Sequence, residues 1–390
     1  MTARVAKLGD LCEINPRLPR DHDLEDDCEV SFVPMAAVSE VSGTIESATT
    51  RRYAEVRKGY TPFADGDVLF AKITPCMENG KAALAKDLAG GRGFGSTEFH
   101  VLRTRESVLP EWIYYFVRRE PFRREAKRNF TGTAGQQRVP ASFLQDTLIP
   151  VPSLEEQSRI VDLLARAEGI IRLRREAQQK ADELIPAIFM DMFGDPATNP
   201  NRWPLRQFGD VGSLDRGKSR HRPRDASVLY DGPYPFIQTG DVANSGGRIQ
   251  SYTSTYSEAG LAQSKLWSAG TLCITIAANI AKTGVLEFDA CFPDSVVGFV
   301  PSDLVRVGFV QAWLGFLQPT LEANAPQAAQ KNINLEILRA LPIPVPPTDL
   351  QDGFVDRCER LVGIGRQQDA ALTSARAVFD SLLASAFSEA

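Results

Sequence analysis

The chain has 390 residues and a mass of 42.8 kDa, which exceeds one ordinary domain and predicts two or three. Hydrophobic residues make up 43% and charged residues 24%, a balance that excludes disordered, collagen-like and rod-like chains. The formal net charge of −5, taken alone, argues against nucleic-acid binding, because DNA-binding domains are usually basic.

Membrane, secreted and zinc-containing proteins are disfavoured by the sequence. No apolar run reaches the roughly 18 residues of a membrane-spanning helix, and residues 1–10 lack the apolar core of a secretory signal. Six scattered cysteines without a Cys-x-x-Cys pair, and only three histidines, argue against a structural zinc site and suit a reducing compartment. We therefore expect a cytoplasmic protein without a membrane partner or a metal.

In the first part of the chain, apolar runs between Gly, Pro and Asp turns predict the strands and helices. Residues 68–70 are a predicted strand and residues 111–117 a predicted helix. Ser153 and Glu156 form a Ser-x-x-Glu capping box, so a long helix should begin after Pro152. Pro186 should kink or locally interrupt that helix.

The second part follows the same plan after a predicted linker at residues 195–202. Residues 272–276 and 299–300 are predicted strands, and residues 309–314 are a predicted helix. A second long helix should cover the end of the chain. The regions before the two long helices are therefore expected to be mixed α/β.

The chain contains an internal repeat at an offset of 194 residues. Residues 149–157 (IPVPSLEEQ) match residues 343–351 (IPVPPTDLQ), with the Ile, both Pro, the Val and the Gln identical. The offset drifts further upstream, where residues 8–11 match residues 208–211. Such drift indicates loops of different length on a shared framework, so we expect two divergent copies of one plan.

Each copy should end in a long helix with one narrow apolar stripe. A helix of about 35 residues is roughly 50 Å long, and so narrow a stripe needs a partner helix. Because both stripes share one heptad register, we predict that the two helices pair with each other; packing of each helix only on its own globular region is the alternative. The stripe positions are Ile160, Leu164, Ala167, Ile171, Ala181, Ile185, Ile188 and Met192, interrupted by Arg174 and Gln178, and then Phe354, Cys358, Leu361, Gly365, Gln368, Leu372, Ala375, Phe379, Leu382 and Ala386.

One motif resembles a nucleotide-binding loop. Residues 212–219 fit the pattern Gly-x4-Gly-Lys-Ser, but polar residues precede them and an Arg- and Pro-rich run follows. A P-loop needs a buried strand before it and a helix after it, so a flexible basic loop is the better interpretation. No methyltransferase cofactor loop, nuclease motif or Ser-His-Asp grouping is visible, and we expect neither a cofactor nor catalysis by this chain alone.

The charge is unevenly distributed along the chain. Residues 154–199 and 348–390, which contain the long helices, carry a net charge of −3 each. Residues 118–138 contain seven Arg and Lys against two Glu, and residues 202–224 contain seven against two Asp. Such stretches can bind DNA phosphates and read guanine edges, whereas a solvated surface is the alternative. One basic stretch in each copy favours DNA binding.

A series of short segments follows a fixed order along the first copy: Leu8-Gly9-Asp10, residues 63–75 (FADGDVLFAKITP), Gly135-Gln136, residues 149–152 (IPVP) and residues 155–161 (EEQSRIV). The weaker second copy has Ile276 where the first has Lys72, and TDLQ where the first has LEEQ. With the duplication and the terminal helices, this order resembles the specificity subunit of type I restriction–modification enzymes over essentially the whole chain.

The resemblance implies an α+β fold of two tandem mixed α/β target-recognition domains, each followed by a long helix. The two helices would pair as an antiparallel coiled coil with pseudo-twofold symmetry. The implied segments are the recognition domains at residues 1–152 and 195–346 and the spacer helices at residues 153–194 and 347–390.

The resemblance also implies a function. Each domain would read one half of a split, asymmetric site in double-stranded DNA. Two methyltransferase subunits and motor-nuclease subunits would bind this chain and would themselves carry the methyl donor and ATP. The chain would then be a non-catalytic recognition component. A coiled-coil scaffold that assembles proteins without binding DNA is the alternative.

The predicted DNA contacts are polar residues in predicted loops, and each of them is as readily an ordinary surface residue. In the first copy they are Lys72, Thr74, Asn79, Lys81, Gln136 and Arg138. In the second copy they are Lys218, Arg220, Arg222, Asn279, Lys282 and Lys331.

Overall fold

A computed structural model describes residues 4–19, 22–133, 136–277, 280–324 and 333–388. The chain divides into two compact units. The first unit comprises Met1–Glu176 together with Ala370–Ala390, and the second comprises Ala177–Asp369. These units cut each long helix in two, so they differ from the four segments implied by the sequence, whose boundaries remain a prediction.

The first unit is built from strands and short helices, followed by the start of a long helix. Its strands are β1 (Arg4–Lys7), β2 (Cys12–Ile14), β3 (Glu29–Val33), β4 (Thr49–Arg52), β5 (Thr61–Ala64), β6 (Val68–Ala71), β7 (Ala82–Leu84), β8 (Arg92–Gly95), β9 (Phe99–Thr104) and β10 (Leu148–Val151). Its helices are α1 (Leu8–Leu11), α2 (Tyr53–Val56), α3 (Pro110–Arg118), α4 (Glu120–Arg128), α5 (Ala141–Asp146) and the first part of α6 (Leu154–Phe193), with 3-10 turns at Met35–Ala37 and Ala89–Gly91.

The second unit has the same kinds of element. Its strands are β11 (Leu205–Gln207), β12 (Gly212–Arg216), β13 (Tyr230–Phe236), β14 (Arg248–Ile249), β15 (Ser254–Tyr256), β16 (Leu266–Trp267), β17 (Leu272–Thr275), β18 (Thr283–Leu286), β19 (Ala290–Cys291), β20 (Val296–Pro301) and β21 (Pro342–Pro344). Its helices are α7 (Thr239–Ala243), α8 (Glu258–Ala262), α9 (Val307–Asn324), α10 (Leu335–Arg339) and the first part of α11 (Thr348–Ala386), with 3-10 turns at Phe208–Asp210 and Ser227–Leu229.

The sheets of the two units share one topology, except that the central sheet of the second unit has a fifth strand, β14, parallel to β18. The first unit has a two-stranded sheet β1-β10 and four-stranded sheets of order β2-β9-β6-β7 and β4-β3-β8-β5. The second unit has β11-β21, then β12-β20-β17-β18-β14 and β15-β13-β19-β16. In each mixed sheet the central pair is parallel (β3 with β8, β13 with β19) and its flanking pairs are antiparallel. The repeat predicted from the sequence is therefore a repeat of architecture, and the strands and helices predicted within it are confirmed.

The central strands are apolar on both faces because each face packs on a different core. In β6, Val68 and Phe70 belong to the core around Trp112, whereas Leu69 belongs to the core around Phe63 and Val101. In β17, Leu272 and Ile274 face the core around Trp313, and Cys273 faces the core around Trp267. Successive strand residues point to opposite faces of a sheet. Each central sheet is therefore covered by helices on one face and by a further sheet on the other.

A buried glutamine recurs at the start of each long helix. Gln157 Oε1 accepts a hydrogen bond from the Leu109 amide (2.9 Å), and its Nε2 donates to the carbonyl oxygens of Pro152 (2.9 Å) and Ser107 (3.4 Å). Gln351 Oε1 accepts from the Arg306 amide (2.8 Å), and its Nε2 donates to the carbonyls of Pro346 (2.8 Å) and Leu304 (3.1 Å). Both glutamines have no exposed surface. The identical Gln of the repeat therefore links each long helix to an earlier loop, the one before α3 in the first unit and the one before α9 in the second.

The long helices begin where the sequence predicts, but the interruption expected at Pro186 does not occur. The Ser153 hydroxyl accepts a hydrogen bond from the Glu156 amide (3.3 Å), and α6 then runs to Phe193 without interruption at Pro186. Every predicted stripe position in α6 and α11 is buried or half-buried. Within the first unit, Phe379 and Leu382 of α11 pack on the core that contains Leu164 of α6. The corresponding core of the second unit contains Phe189 and Phe193 of α6 with Phe354 of α11. Pairing as one continuous coiled coil remains a prediction.

Candidate nucleic-acid interface

In the first unit, two loops leave the central sheet at the same edge. Strands β2 and β6 both pair antiparallel with β9, so they run in the same direction. Their last residues, Ile14 and Ala71, lie opposite Leu102 and Phe99 of β9. Two strand spacings across the sheet and three residues along β9 separate these ends, so the loops that follow begin about 14 Å apart.

Four of the six predicted contacts in this unit lie together at that edge. The Thr74 amide donates to the Gln137 carbonyl (3.1 Å), and the Val139 amide donates to the Lys72 carbonyl (2.9 Å), so the segment around Gln136 and Arg138 runs beside the loop after β6. Gln136 is exposed, and Lys72 and Thr74 are half-buried. The Lys72 ammonium forms no ion pair with any carboxylate of the described chain.

Arg138 is held by a carboxylate that the sequence did not indicate. Its Nε and Nη2 donate to the two oxygens of Glu98 at 2.8 and 2.9 Å, and its Nη1 donates to the Gln136 carbonyl (2.9 Å). This paired hydrogen bond lowers the pKa of Glu98 and raises that of Arg138. Arg138 therefore orders the edge, and its charge is already balanced within the unit.

Asn79 and Lys81 lie further along the same loop. The Asn79 amide nitrogen donates to Glu40 Oε2 (3.2 Å), and the Lys81 ammonium donates to the Met35 carbonyl (3.4 Å). The Thr74 hydroxyl donates to Glu78 Oε1 across this loop (2.5 Å). Both ends of the loop are thus tied to neighbouring segments, which limits how far its polar groups can move.

A buried histidine fastens the edge of the first unit. His100 Nε2 donates to the Val139 carbonyl (2.8 Å), and its Nδ1 accepts from the Asn15 amide nitrogen (3.0 Å), an orientation fixed because Asn15 Oδ1 accepts from the Val101 amide (3.1 Å). Burial is the main reason that the pKa of His100 lies below its ordinary value. The neutral ring therefore joins β9, the loop after β2 and the segment that carries Arg138.

The second unit presents the equivalent edge. Strands β12 and β17 both pair antiparallel with β20, and their last residues, Arg216 and Thr275, lie opposite Val297 and Val296. The loop after β12 carries Lys218, Arg220 and Arg222, all exposed. The Arg220 amide donates to Gln263 Oε1, and Arg222 Nη1 donates to the Ser219 and His221 carbonyls (2.8 Å each). The three predicted contacts in this loop therefore form one exposed cluster at the edge.

The loop after β17 completes that edge. Lys282 is exposed just before β18, and its carbonyl accepts from the Thr275 amide (3.0 Å). The same contact joins Lys81 to Ala71 in the first unit (3.0 Å), so Lys81 and Lys282 occupy equivalent positions. Asn279 and Lys331, which were also predicted as contacts, lie outside the described residues.

The P-loop-like motif has a structural role. Residues 212–216 form β12 itself, and no helix follows. The Gly217 amide donates to the Val296 carbonyl (2.9 Å) and the Lys218 amide to the Phe292 carbonyl (3.0 Å), so these amides are not available to a phosphate. A Cβ atom at Gly217 would lie 2.1 Å from the Phe292 carbonyl oxygen. The glycine is needed for this close approach, as expected for a loop that is not nucleotide-binding.

The two basic stretches differ in how many of their cations form ion pairs. In residues 118–138, carboxylates from outside the stretch bind several of the cations: Glu168 binds Arg118, Glu78 binds Lys127 and Glu98 binds Arg138. In residues 202–224, Arg224 pairs with Asp294 (2.9 Å), whereas Lys218, Arg220 and Arg222 make no ion pair within the described residues. The sequence count of nearby acids missed the partners in the first unit because they are 40 to 50 positions away.

Arg206 lies at the other end of the sheet from the cationic loop. It belongs to β11, which precedes the first residue of β12, whereas Lys218 follows the last. A five-residue strand separates the two ends by roughly 13 Å. The basic stretch of residues 202–224 therefore supplies two separate surfaces, only one of which is the loop-bearing edge.

The described residues include no group of three or more His, Cys, Asp or Glu placed to hold a metal ion. No helix among them is long and apolar enough to cross a membrane. The sequence also gave no signal for Asn15, Glu98 and Gln263, which hold the edges in place, because each acts on segments distant in the chain.

Comparison with known proteins identifies the family to which the two repeated units belong. A family model described as "Type I restriction modification DNA specificity domain" matches residues 2–182 and again residues 200–369. The chain belongs to this family. The two matches coincide with the two copies of the repeat, and the predicted fold class of two mixed α/β copies with long helices is confirmed.

Curated members of the specificity family are similar to parts of this chain. The specificity subunits of the type I restriction enzymes EcoEI and EcoAI from Escherichia coli are 41% and 40% identical over 160 and 153 residues. These matches cover 41% and 39% of this chain, but only 26% and 25% of the relatives, so the matched part spans about a quarter of their length. The putative MjaX specificity subunit from Methanocaldococcus jannaschii is 21% identical over 339 residues, which cover 82% of this chain and 77% of the relative.

Solved structures of the specificity family share the fold. The type I restriction–modification system S subunit from M. genitalium is 14% identical, with a TM-score of 0.60 over 99% of this chain and 96% of that one. A chain from a structural study of the assembly and conformational transition of the type I R-M system is 23% identical, with a TM-score of 0.61 over 99% and 97%. At these identities the likeness concerns the fold alone.

Proposed function

We propose that this chain is the DNA sequence-recognition component of a type I restriction–modification system. Each unit would read one half of a split site through the loops at the edge of its central sheet. The observation that carries this proposal is the repetition of that edge: equivalent strands in both units present loops with exposed cations or amides. Because the loops differ in sequence between the units, the two half-sites should differ as well.

The same proposal assigns catalysis to partner subunits. The relatives are named as specificity subunits of type I restriction enzymes. We propose that this chain likewise acts without catalysing a reaction, in the cytoplasm, and recruits two methyltransferase subunits and motor-nuclease subunits that carry the methyl donor and ATP. The long helices, whose net charge is negative, would mainly face these protein partners, and the cationic edges would face DNA.

The exposed cationic loop of the second unit gives a direct test. Replacing Lys218, Arg220 and Arg222 by alanine in the assembled methyltransferase complex should reduce the salt dependence of DNA binding by about two to three released counterions. Affinity at moderate salt should fall at least about tenfold by fluorescence anisotropy. All three side chains are exposed, so the unfolding temperature should not change.

The matched control removes arginines from the same basic stretch at the other end of the sheet. The double variant Arg202→Ala/Arg206→Ala should keep the wild-type affinity and salt slope. If the triple variant also binds DNA like the wild type, the edge is not the interface, and the scaffold alternative gains support. Sequencing of methylated adenines in cells with and without the active complex should show one split motif that depends on this chain.

A further inference from the structure

A second cationic feature lies in the first unit, in a half-open cavity of about 650 Å³. Its wall combines residues 40–44, the end of α3, the start of α4 and the parts of α6 and α11 that belong to this unit. Five arginines line it, against the carboxylates of Glu40, Glu168 and Asp380. The volume lies in the range of small-molecule sites.

One arginine of the cavity already has a carboxylate partner within the unit. Arg118 donates to Glu168 Oε1 (2.6 Å) and to the hydroxyl of Tyr114, and the hydroxyls of Tyr114 and Tyr115 donate to Glu168 at 3.3 and 3.2 Å. Only 16% of the Arg118 side chain is exposed. Glu168 is therefore saturated by these donors and has little capacity left for the other arginines.

Three further arginines lack a carboxylate partner. Arg172 pairs with Glu176 (3.2 Å), but no carboxylate of the described chain lies within 4.0 Å of Arg123, Arg175 or Arg376. Arg123 donates only to the Glu78 carbonyl (2.6 Å), and Arg175 only to the Val41 carbonyl (3.4 Å). Burial, followed by the positive charges of Arg376 and Arg118, lowers the pKa of Arg175. Cations that repel each other beside a cavity indicate that an anion is the missing partner.

The repeat shows that the shared framework does not require these arginines. At the offset of 194 residues, Asp369 in α11 corresponds to Arg175 in α6, and Asp182 in α6 corresponds to Arg376 in α11. The second unit therefore has carboxylates in its sequence at the helix positions where the first unit has cations. The side chains at these positions are free to differ, so the crowding of cations in the first unit is specific to that unit.

We propose that this cavity binds a phosphate-class oxyanion carrying at least two negative charges, through Arg123, Arg175 and Arg376. Guanidinium groups present planar pairs of donors that match phosphate oxygens, and they keep their charge when partly buried. Arg123 donates to the Glu78 carbonyl and Asn79 donates to Glu40, so the cavity adjoins the loop after β6. Free phosphates and the phosphates of bound DNA are both possible sources of this chemistry.

Calorimetric titration of the full-length chain with inorganic pyrophosphate, at constant ionic strength in chloride buffer, tests the site. The wild type should bind one pyrophosphate, and the variant Arg175→Gln/Arg376→Gln should bind at least about tenfold more weakly. The control Arg159→Gln/Arg166→Gln removes two exposed arginines of α6 that pair locally with Glu156 and Asp162, and it should bind like the wild type. Absence of saturable binding, or equal binding by all three proteins, would overturn the proposal.

Thermal unfolding separates a ligand site from a structural one. Without pyrophosphate, Arg175→Gln/Arg376→Gln should unfold at the wild-type temperature or above it, because it removes like-charge repulsion. With pyrophosphate the wild type should become the more stable protein. A variant that is less stable without the anion and is stabilised by it as much as the wild type would assign the arginines to structure alone.

Competition with a short DNA duplex of random sequence identifies the source of the phosphate. Displacement of pyrophosphate by the duplex would place a backbone phosphate in the cavity, and simultaneous binding of both would point to a free anion. Either result retains the oxyanion site. Because pyrophosphate binding is measured without DNA, it can fail while the proposed recognition of DNA stands, and the reverse also holds.

Discussion

At the scale of single residues, the identical glutamine of the repeat binds the backbone through its side chain in both units. Gln157 and Gln351 each use both ends of the amide, and each makes the same three hydrogen bonds in its own unit. A buried amide is favourable only when its partners are present. The match of 149–157 to 343–351 therefore preserves a joint between a loop and a long helix, rather than a contact with a ligand.

The first residue-scale prediction concerns this joint. Gln157→Met keeps the length of the side chain but leaves the Leu109 amide and the Pro152 carbonyl without partners. Each buried group left unpaired costs about 1–3 kcal/mol, so the free energy of unfolding should fall by about that amount or more in urea titrations. Gln179→Met, at an exposed position of the same helix, is the control and should be neutral within about 0.5 kcal/mol. Equal stability of both variants would show that the joint contributes nothing.

At the scale of elements, the periodicity of the sequence predicts the buried face of a single helix or strand. The contacts between separate elements are visible only in the structure. The heptad stripe of α6 and α11 could be predicted because every stripe position is buried or half-buried. The charge of the loops could not be predicted in this way, because it depends on partners that are distant in the sequence. One of them is Glu98, which lies beside Arg138 because β9 pairs with β6. Of two equal basic stretches in the sequence, the one in the first unit has five of its seven cations paired with carboxylates, whereas the one in the second unit forms an exposed cationic loop.

The shared sheet edge could not be predicted from the sequence either. Lys72 and Gln136 were predicted as contacts separately, and nothing in the sequence placed them together. Their proximity follows from hydrogen bonds between the loop after β6 and the segment before α5. The parallel direction of β2 and β6 also requires knowing that β9 lies between them. Local patterns therefore identified the residues, while strand order determined that they share a surface.

His100 supplies an element-scale prediction about pH. Its pKa in the folded protein lies below the unfolded value, because burial disfavours the charged ring. As the pH falls, the unfolded chain takes up the proton first, so the contribution of His100 is present above the unfolded pKa and is lost as the pH decreases. The unfolding temperature should therefore drop between about pH 7 and pH 5, and His100→Gln should show a shallower drop.

The control for His100 is His221→Gln, which removes a histidine from an exposed loop and leaves the network of Asn15 and Val139 intact. Differential scanning fluorimetry across the pH range gives the slopes directly. A His100→Gln slope identical to that of the wild type would mean that another group controls the acid sensitivity. The expected difference is confined to mildly acidic pH and disappears in alkaline buffer.

At the scale of the whole molecule, each compact unit includes part of the long helix that belongs to the other copy of the repeat. The first unit takes Ala370–Ala390 from the end of α11, and the second takes the end of α6. The ring of Phe387 lies 4.3 Å from that of Trp112 and 5.6 Å from that of Phe116, centroid to centroid. The duplication therefore did not produce two independent domains in series, since neither copy contains its whole core.

This exchange of segments predicts a selective effect of truncation. A chain ending at Asp369 lacks Phe379, Leu382 and Phe387, although it retains every residue of the second unit. Loss of a single buried phenylalanine costs about 3–5 kcal/mol, so the first unit should open while the second remains protected. Hydrogen–deuterium exchange should rise in α3 and α4 but not in β17 or β20. A chain ending at Ser388, which keeps Phe387, should exchange like the full-length protein, and uniform loss of protection in both units would show that they fold as one.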